Sequence, residues 1–195
     1  MQIKTINLPL SKEDALSLNA GDMVSLSGLV VTGRDKVHKF LYNERPSKEQ
    51  IPFNLEGSAL YHCGPILKRD GDGYVIVSGG PTTSMRVEMY EAFVIEHYGL
   101  SCIIGKGGMG QKTKEALKMC SCVYMNAISG AGAFLADRIK QVKGGWLVEE
   151  FGAPEAMWLL EVEDFPALVT MDAHGRSLHE EIEERSKAEF KRLLS

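Results

Sequence analysis

The chain is short of cysteine, of any long apolar run and of excess positive charge, and each shortage removes a class of function. Cys63, Cys102, Cys120 and Cys122 are too few among 195 residues to staple a disulfide scaffold, and in a reducing compartment they stay thiols. Cys120-Ser121-Cys122 is a close pair whose sulfurs would share one face of a strand, as a metal would need, but Cys63 and Cys102 offer no second close-spaced pair to complete a site. Small buried thiols are the expected role, with no metal held by the chain itself. No segment reaches the ~20 apolar residues that span a bilayer, and the start MQIKTINLPLSKEDALSL lacks the basic, then apolar, layout of a secretory signal. A cytoplasmic location is therefore expected. With 22 Lys+Arg against 26 Asp+Glu the net charge is -4, which gives no broad field to attract nucleic acid or an anionic membrane. Any anion site must be built locally.

What is present is enough apolar material, 44% of residues, to fill a sizeable core, in a length that suits one domain over residues 1–195. Asp22 to Thr32 mixes alternation with β-branched residues and reads as a strand feeding the polar loop Gly33-Arg34-Asp35, with a short helix over Arg34 to Tyr42. A polar, proline-containing connection then leads to a short strand at Ala59 to His62 and the turn Cys63-Gly64-Pro65. From Tyr74 strands and helices alternate: strands at Tyr74 to Ser78, Ser101 to Ile104 and Cys122 to Met125, helices at Thr83 to His97, Thr113 to Met119 and near Gly132 to Lys140. Such alternation predicts parallel βαβ units. Strands at Trp158 to Val162 and Leu168 to Met171 precede a charged helix, Leu178 to Leu194, whose glutamates read as a solvated face. The expected class is α/β, with a β-rich N-terminal half and βαβ units in the C-terminal half.

Two loops run from a predicted strand into a predicted helix and carry their own cations: Ser78-Gly79-Gly80-Pro81-Thr82-Thr83-Ser84-Met85-Arg86 and Gly105-Lys106-Gly107-Gly108-Met109-Gly110. Glycines let backbone amides approach a ligand, and a helix start offers unpaired N–H groups, so each loop suits a carboxylate or phosphate. Thr82, Thr83 and Ser84 fit helix capping. Arg86 on the first helical turn is a cation at a helix's positive end, a placement that a bound anion would offset. Its guanidinium can hold a carboxylate through two parallel hydrogen bonds. Arg34 adds a third cation, and His38, one helical turn later, falls on the same face and titrates near neutrality. The second loop also matches the dinucleotide pattern G-x-G-x-x-G, but the next strand ends in Tyr124-Met125-Asn126-Ala127 without the acidic residue that holds a ribose.

These motifs together resemble the β subunit of two-subunit class I (iron-sulfur) fumarases and of L-tartrate dehydratase, equivalent to the C-terminal domain of single-chain class I fumarases. The likeness rests on Gly33-Arg34-Asp35 with His38, Gly80-Pro81-Thr82-Thr83-Ser84-Met85-Arg86, Ile104-Gly105-Lys106-Gly107-Gly108-Met109, Pro154-Glu155-Ala156-Met157-Trp158 and Glu163-Asp164-Phe165-Pro166, and runs almost end to end. It implies a swivelling β/β/α domain and a hydro-lyase that interconverts fumarate and L-malate, or alternatively dehydrates L(+)-tartrate to oxaloacetate. It further implies a larger α subunit holding a 4Fe-4S cluster, an active site between the subunits and activity only with that partner, and it leaves homo-oligomerisation of the heteromer open. Carried over position by position, the dicarboxylate contacts are Arg34, Thr82, Arg86 and Lys106, Thr82 is the proton-transfer residue, and His38 resembles a position suggested as catalytic in the tartrate branch. None of the four cysteines matches a cluster ligand of the family. Two rival classes are a nucleotide-binding oxidoreductase domain built on Gly105 to Gly110 and a non-catalytic interaction domain.

Overall fold

The sheet grows outward from strand β2 (Met23–Thr32), the alternating segment of the N-terminal half. The computed structural model describes residues 2–71 and 73–194. β1 (Lys4–Leu8), β2, β3 (Ala59–Tyr61), β6 (Cys102–Gly105) and β7 (Val123–Ala127) lie side by side, each parallel to the next. The helices α2 (Asp35–Glu44), α3 (Glu88–Tyr98) and α4 (Gln111–Cys120) fall on the crossovers between parallel neighbours, the βαβ arrangement that the alternation predicts. A fifteen-residue strand, β9 (Met157–Met171), runs antiparallel to β7 and also to β2, so β2, β3, β6, β7 and β9 close into a five-stranded, barrel-like ring. β8 (Ile139–Trp146) pairs with the free edge of β9.

Period-two alternation sorts the strand residues between two cores. Val24, Leu26, Val30, Ala59, Tyr61, Cys102, Ile104, Val123, Met125, Phe165 and Val169 fill the inside of the ring. Their neighbours Val31, Leu60, Ile103, Tyr124 and Met171 face outward and pack on Val37 and Leu41 of α2, Val94, Ile95 and Tyr98 of α3, and Ala116 and Leu117 of α4. Each such large apolar side chain, fully buried, contributes about 1.5–3 kcal/mol. The ring is thus held from both faces.

Three expectations need correction. Tyr74 to Ser78 is not part of the parallel series: β5 (Gly73–Ser78) pairs antiparallel with β4 (Ile66–Asp70) in a separate hairpin, and its half-exposed residues could not serve a strand buried on both faces. The helix near Gly132 to Lys140 stops early, as α5 (Gly132–Asp137), because Ile139 onward is drawn into β8 by the free edge of β9. The two strands read at Trp158 to Val162 and Leu168 to Met171 are one. Asp164 takes a left-handed backbone (φ 51°), the register against β2 slips between Leu26 and Gly28, and Asp164 is tied back by its N–H to Ser27 Oγ and its carboxylate to Ser25, so a bulge absorbs the polar break. The α1 helix (Lys12–Ser17), the single-turn α6 (Val148–Phe151) and the surface helix α7 (Leu178–Leu194) complete the fold; α7 has no fully buried residue, as its charge predicts. Among the described residues no helix is long and apolar enough to cross a membrane.

Because β2, β3 and β6 are parallel neighbours, the residues that follow them, Arg34, His62 and Lys106, emerge at one end of the ring. That is where ligands bind in parallel α/β sheets.

Candidate functional site

At that end the structure brings together the loops carrying Arg34, Thr82, Arg86 and Lys106. Gly64, just after β3, leaves room for Arg34: a Cβ there would stand 2.5 Å from both Arg34 Cδ and the Pro154 carbonyl oxygen. Arg34 Nε lies 3.1 Å from Glu155 Oε1 and 3.7 Å from Asp35 Oδ2. Glu155 Oε2 also accepts the Lys36 N–H at 3.0 Å, so one carboxylate both steadies Arg34 and caps the start of α2. Arg86, half exposed, lies within a 3-10 turn (Ser84–Val87) and grips Asp35 at two points, Nε donating to Oδ1 at 3.1 Å and Nη2 lying 2.8 Å from Oδ2. The anion expected beside Arg86 is thus, in this chain, the Asp35 carboxylate. The Thr82 N–H donates to the His62 carbonyl at 2.6 Å, and the Ser84 N–H donates to the Lys106 carbonyl at 3.1 Å, which joins the two glycine loops.

Beneath this rim lies a cluster that sequence reasoning did not foresee. His38 and His62 both place Nε2 3.0 Å from Glu91 Oε2, close enough for ion pairs although neither N–H points along the contact. His38 and Glu91 have no exposed surface and His62 has 2%. His38 Nδ1 donates to the Arg34 carbonyl at 2.7 Å; His62 Nδ1 lies 2.8 Å from Ser84 Oγ; and Tyr124 Oη lies 2.8 Å from the same Ser84 Oγ and 3.0 Å from the Gly107 carbonyl. Burial pushes the Glu91 carboxyl up, but its contacts with the His62 and His38 rings overcome that and hold the group at about 2. Burial likewise disfavours charge on His38, yet Glu91 and the Arg34 carbonyl raise it above its ordinary value, whereas for His62 burial prevails and the value falls. The cluster therefore reads as a buried carboxylate with an imidazolium at His38 and a neutral ring at His62. Its warning sign in the sequence was Glu91, a charge on the stripe Val87, Val94, Ile95 and Tyr98 that α3 buries.

The structure also reassigns several side chains. Arg34 and His38 do not meet through their heads; the His38 ring turns inward and holds the Arg34 backbone instead. Thr83 stands at the cap position of the 3-10 turn without a side-chain cap bond, and Ser84 spends its hydroxyl on His62 and Tyr124. The start of α4, where a phosphate would sit in a nucleotide site, is filled by Glu88, which accepts from Gly110 N (2.8 Å), Thr113 N (3.3 Å) and Thr113 Oγ1 (2.6 Å). That carboxylate occupies the amides on which the oxidoreductase reading depends. Cys63, Cys102 and Cys122 are buried and Cys120 half-buried. Burial pushes the thiols of Cys63 and Cys102 up to about 12. Cys120 ends α4 and Cys122 precedes β7, so the two do not share a strand face.

Comparison with known proteins follows the same motifs. The sequence model of the family described as Fumarase C-terminus matches residues 1–182. The chain is 46% identical over 186 residues to a protein of Geobacillus stearothermophilus named for fumarate hydratase class I, and spans 35% of that protein's length. It is 39% identical over 186 residues to a Methanocaldococcus jannaschii protein named for L(+)-tartrate dehydratase subunit beta, covering 95% of each. It is 36% identical over 177 residues to the L(+)-tartrate dehydratase subunit beta of Escherichia coli strain K12, covering 86% of that subunit.

Proposed function

Since this chain belongs to the fumarase C-terminal family, we propose that residues 1–195 act as the β subunit of an iron-sulfur hydro-lyase that interconverts fumarate and L-malate. The observation that carries the reading is the rim itself: two guanidiniums, an ammonium and a hydroxyl reach one end of the ring, and Arg86 already clasps a carboxylate at two points. A dicarboxylate presents that same planar group twice, and bidentate pairing with arginine fixes its orientation as well as its charge. The identity to the fumarase-named relative, 46%, favours fumarate over tartrate. The near-complete coverage of relatives named as beta subunits supports a separate partner chain.

Removing a proton beside a carboxylate builds up a dianion, which is poorly stable in water at neutral pH. Arg34, Arg86 and Lys106 are placed to bind both carboxylates and to favour that extra charge as it develops. Thr82, half-buried between them, is the proposed proton-transfer residue, with its amide fixed on the His62 carbonyl and the cations favouring its ionised form. His38 is too deeply buried to meet a substrate in this arrangement, and its part is developed below. A 4Fe-4S cluster does not fit this chain, whose thiols are buried or half-buried, raised and dispersed between the ring interior and the α4 edge. In this reading the fold is the swivelling β/β/α domain that the resemblance implies, the cluster belongs to a larger α subunit, the site is completed between the subunits, and the assembly works in the cytoplasm.

Arg86→Ala in the reconstituted complex should lower kcat/KM on the order of 10²- to 10³-fold, the loss of one two-point charged contact in the transition state. Near-normal kinetics would remove Arg86 from the site.

A further inference from the structure

The buried cluster and the residues bonded to it hold backbone groups of the loops on the rim. His38 Nδ1 holds the Arg34 carbonyl, the His62 carbonyl holds the Thr82 amide, Ser84 holds the Lys106 carbonyl through its N–H, and Tyr124 reaches the Gly107 carbonyl. Ser84 Oγ, between His62 Nδ1 and Tyr124 Oη, ties these attachments into one network. We propose that Glu91, His38 and His62 are positioning residues: their ionic core sets the spacing of Arg34, Thr82 and Lys106, so that the dicarboxylate site depends on a charge that no substrate touches.

The geometry dictates how that charge is distributed. His38 Nδ1 faces a carbonyl and Nε2 faces a carboxylate oxygen, so both nitrogens carry protons and the ring is cationic. His62 brings Nε2 within 3.0 Å of the same oxygen, which assigns the proton of a neutral ring to Nε2 and leaves Nδ1 to accept from the Ser84 hydroxyl. Neutralising Glu91 would remove the reason for the second proton on His38, and His38 would then satisfy either the Arg34 carbonyl or residue 91, not both. With the three groups almost free of solvent, water cannot replace a lost partner. A shift there must be taken up by the loops above.

The test compares Glu91→Gln, which keeps the shape and removes the charge, with Val94→Ala, which opens a cavity in the same helix and leaves all three ionic groups in place. Both should lower the melting temperature. In the complex reconstituted with its partner, Glu91→Gln should lower kcat/KM at least tenfold per active assembly, and Val94→Ala should stay within twofold. In the full chain alone, the amide resonances of Thr82, Lys106 and Gly107 should move in Glu91→Gln and stay in place in Val94→Ala. Long-range nitrogen NMR of the wild-type rings should show His38 doubly protonated and His62 protonated at Nε2. If Glu91→Gln does not fold, Ser84→Ala, which cuts the link from His62 to Tyr124 and leaves the charges intact, should move the Gly107 amide and lower kcat/KM. Unchanged kinetics and unmoved amides in the folded variant, two neutral rings, or one equivalent of metal bound at the rings would each overturn the proposal. The kinetic arm rests on the hydro-lyase reading; a wild-type complex that turns over no hydroxy acid would defeat that reading, while the ring and amide signals would still decide the positioning role.

Discussion

Glu88→Ala is the substitution whose cost can be worked most directly from the coordinates. The Glu88 carboxylate makes two short contacts, to Gly110 N and Thr113 Oγ1, and one longer one, to Thr113 N. A hydrogen bond to a charged group is worth about 1.5–3 kcal/mol, and an anion at a helix start adds about 0.3–1 kcal/mol. The contacts share one side chain that is partly open to solvent, so their sum must be discounted, and the variant should lose about 2–4 kcal/mol. Thr113 is fully buried, so water cannot readily take over its hydroxyl. For a chain of this length that loss is a fall in Tm of about 10 °C. Urea unfolding followed by circular dichroism gives the free energy. The vacated amides also become an anion site, so inorganic phosphate should raise the Tm of Glu88→Ala more than that of the wild type. A loss under about 1 kcal/mol, or no difference in the phosphate response, would refute the view that this carboxylate fills the helix start.

Gly105→Ala should be more damaging than a one-methyl change suggests: its Cβ would collide with Ser84 Oγ and stand 3.1 Å from both His62 Nδ1 and Tyr124 Oη. Overpacking there should cost about 1–3 kcal/mol and displace the Lys106 loop, visible as a lower urea midpoint and altered Lys106 and Gly107 amide resonances. Stability should also fall in acid. Glu91 sits at about 2, below the ordinary glutamate value of 4.5, so its contribution is complete above about pH 4.5 and vanishes as the pH drops toward 2. His62, also lowered, acts in the same sense below its ordinary 6.5, while the raised His38 contributes below 6.5 and fades as the pH climbs through its raised value. Urea midpoints between pH 5 and 3 should therefore fall less steeply in Glu91→Gln than in the wild type.

The sequence carried the fold where pattern and topology agree. Strand β2, helices α2 to α4 and strands β6 and β7 were legible because apolar periodicity and glycine punctuation coincide there. The antiparallel closure by β9 was not, since local pattern says nothing of which distant strand a segment will pair with, and Asp164 hid a bulge behind polar residues. The rim cations Arg34, Arg86 and Lys106 stood out beside glycines at strand ends, whereas Thr82 read as a helix cap and gained its site role only through the family resemblance. The core beneath them did not. His62 and Tyr124 look like ordinary strand residues, and Glu91 becomes informative only once α3 is known to bury its face. Asp35 and Glu155 were missed because their partners lie far apart in the chain.

The most direct measurement is turnover by this chain co-expressed anaerobically with a cluster-bearing α subunit, followed as fumarate loss, malate formation and L-tartrate dehydration, with Arg86→Ala alongside. The account predicts that fumarate and malate interconvert only when both chains and an intact cluster are present, and that Arg86→Ala nearly abolishes the activity. A stable, cluster-loaded complex inert toward all three acids, or one that Arg86→Ala leaves unchanged, would contradict it.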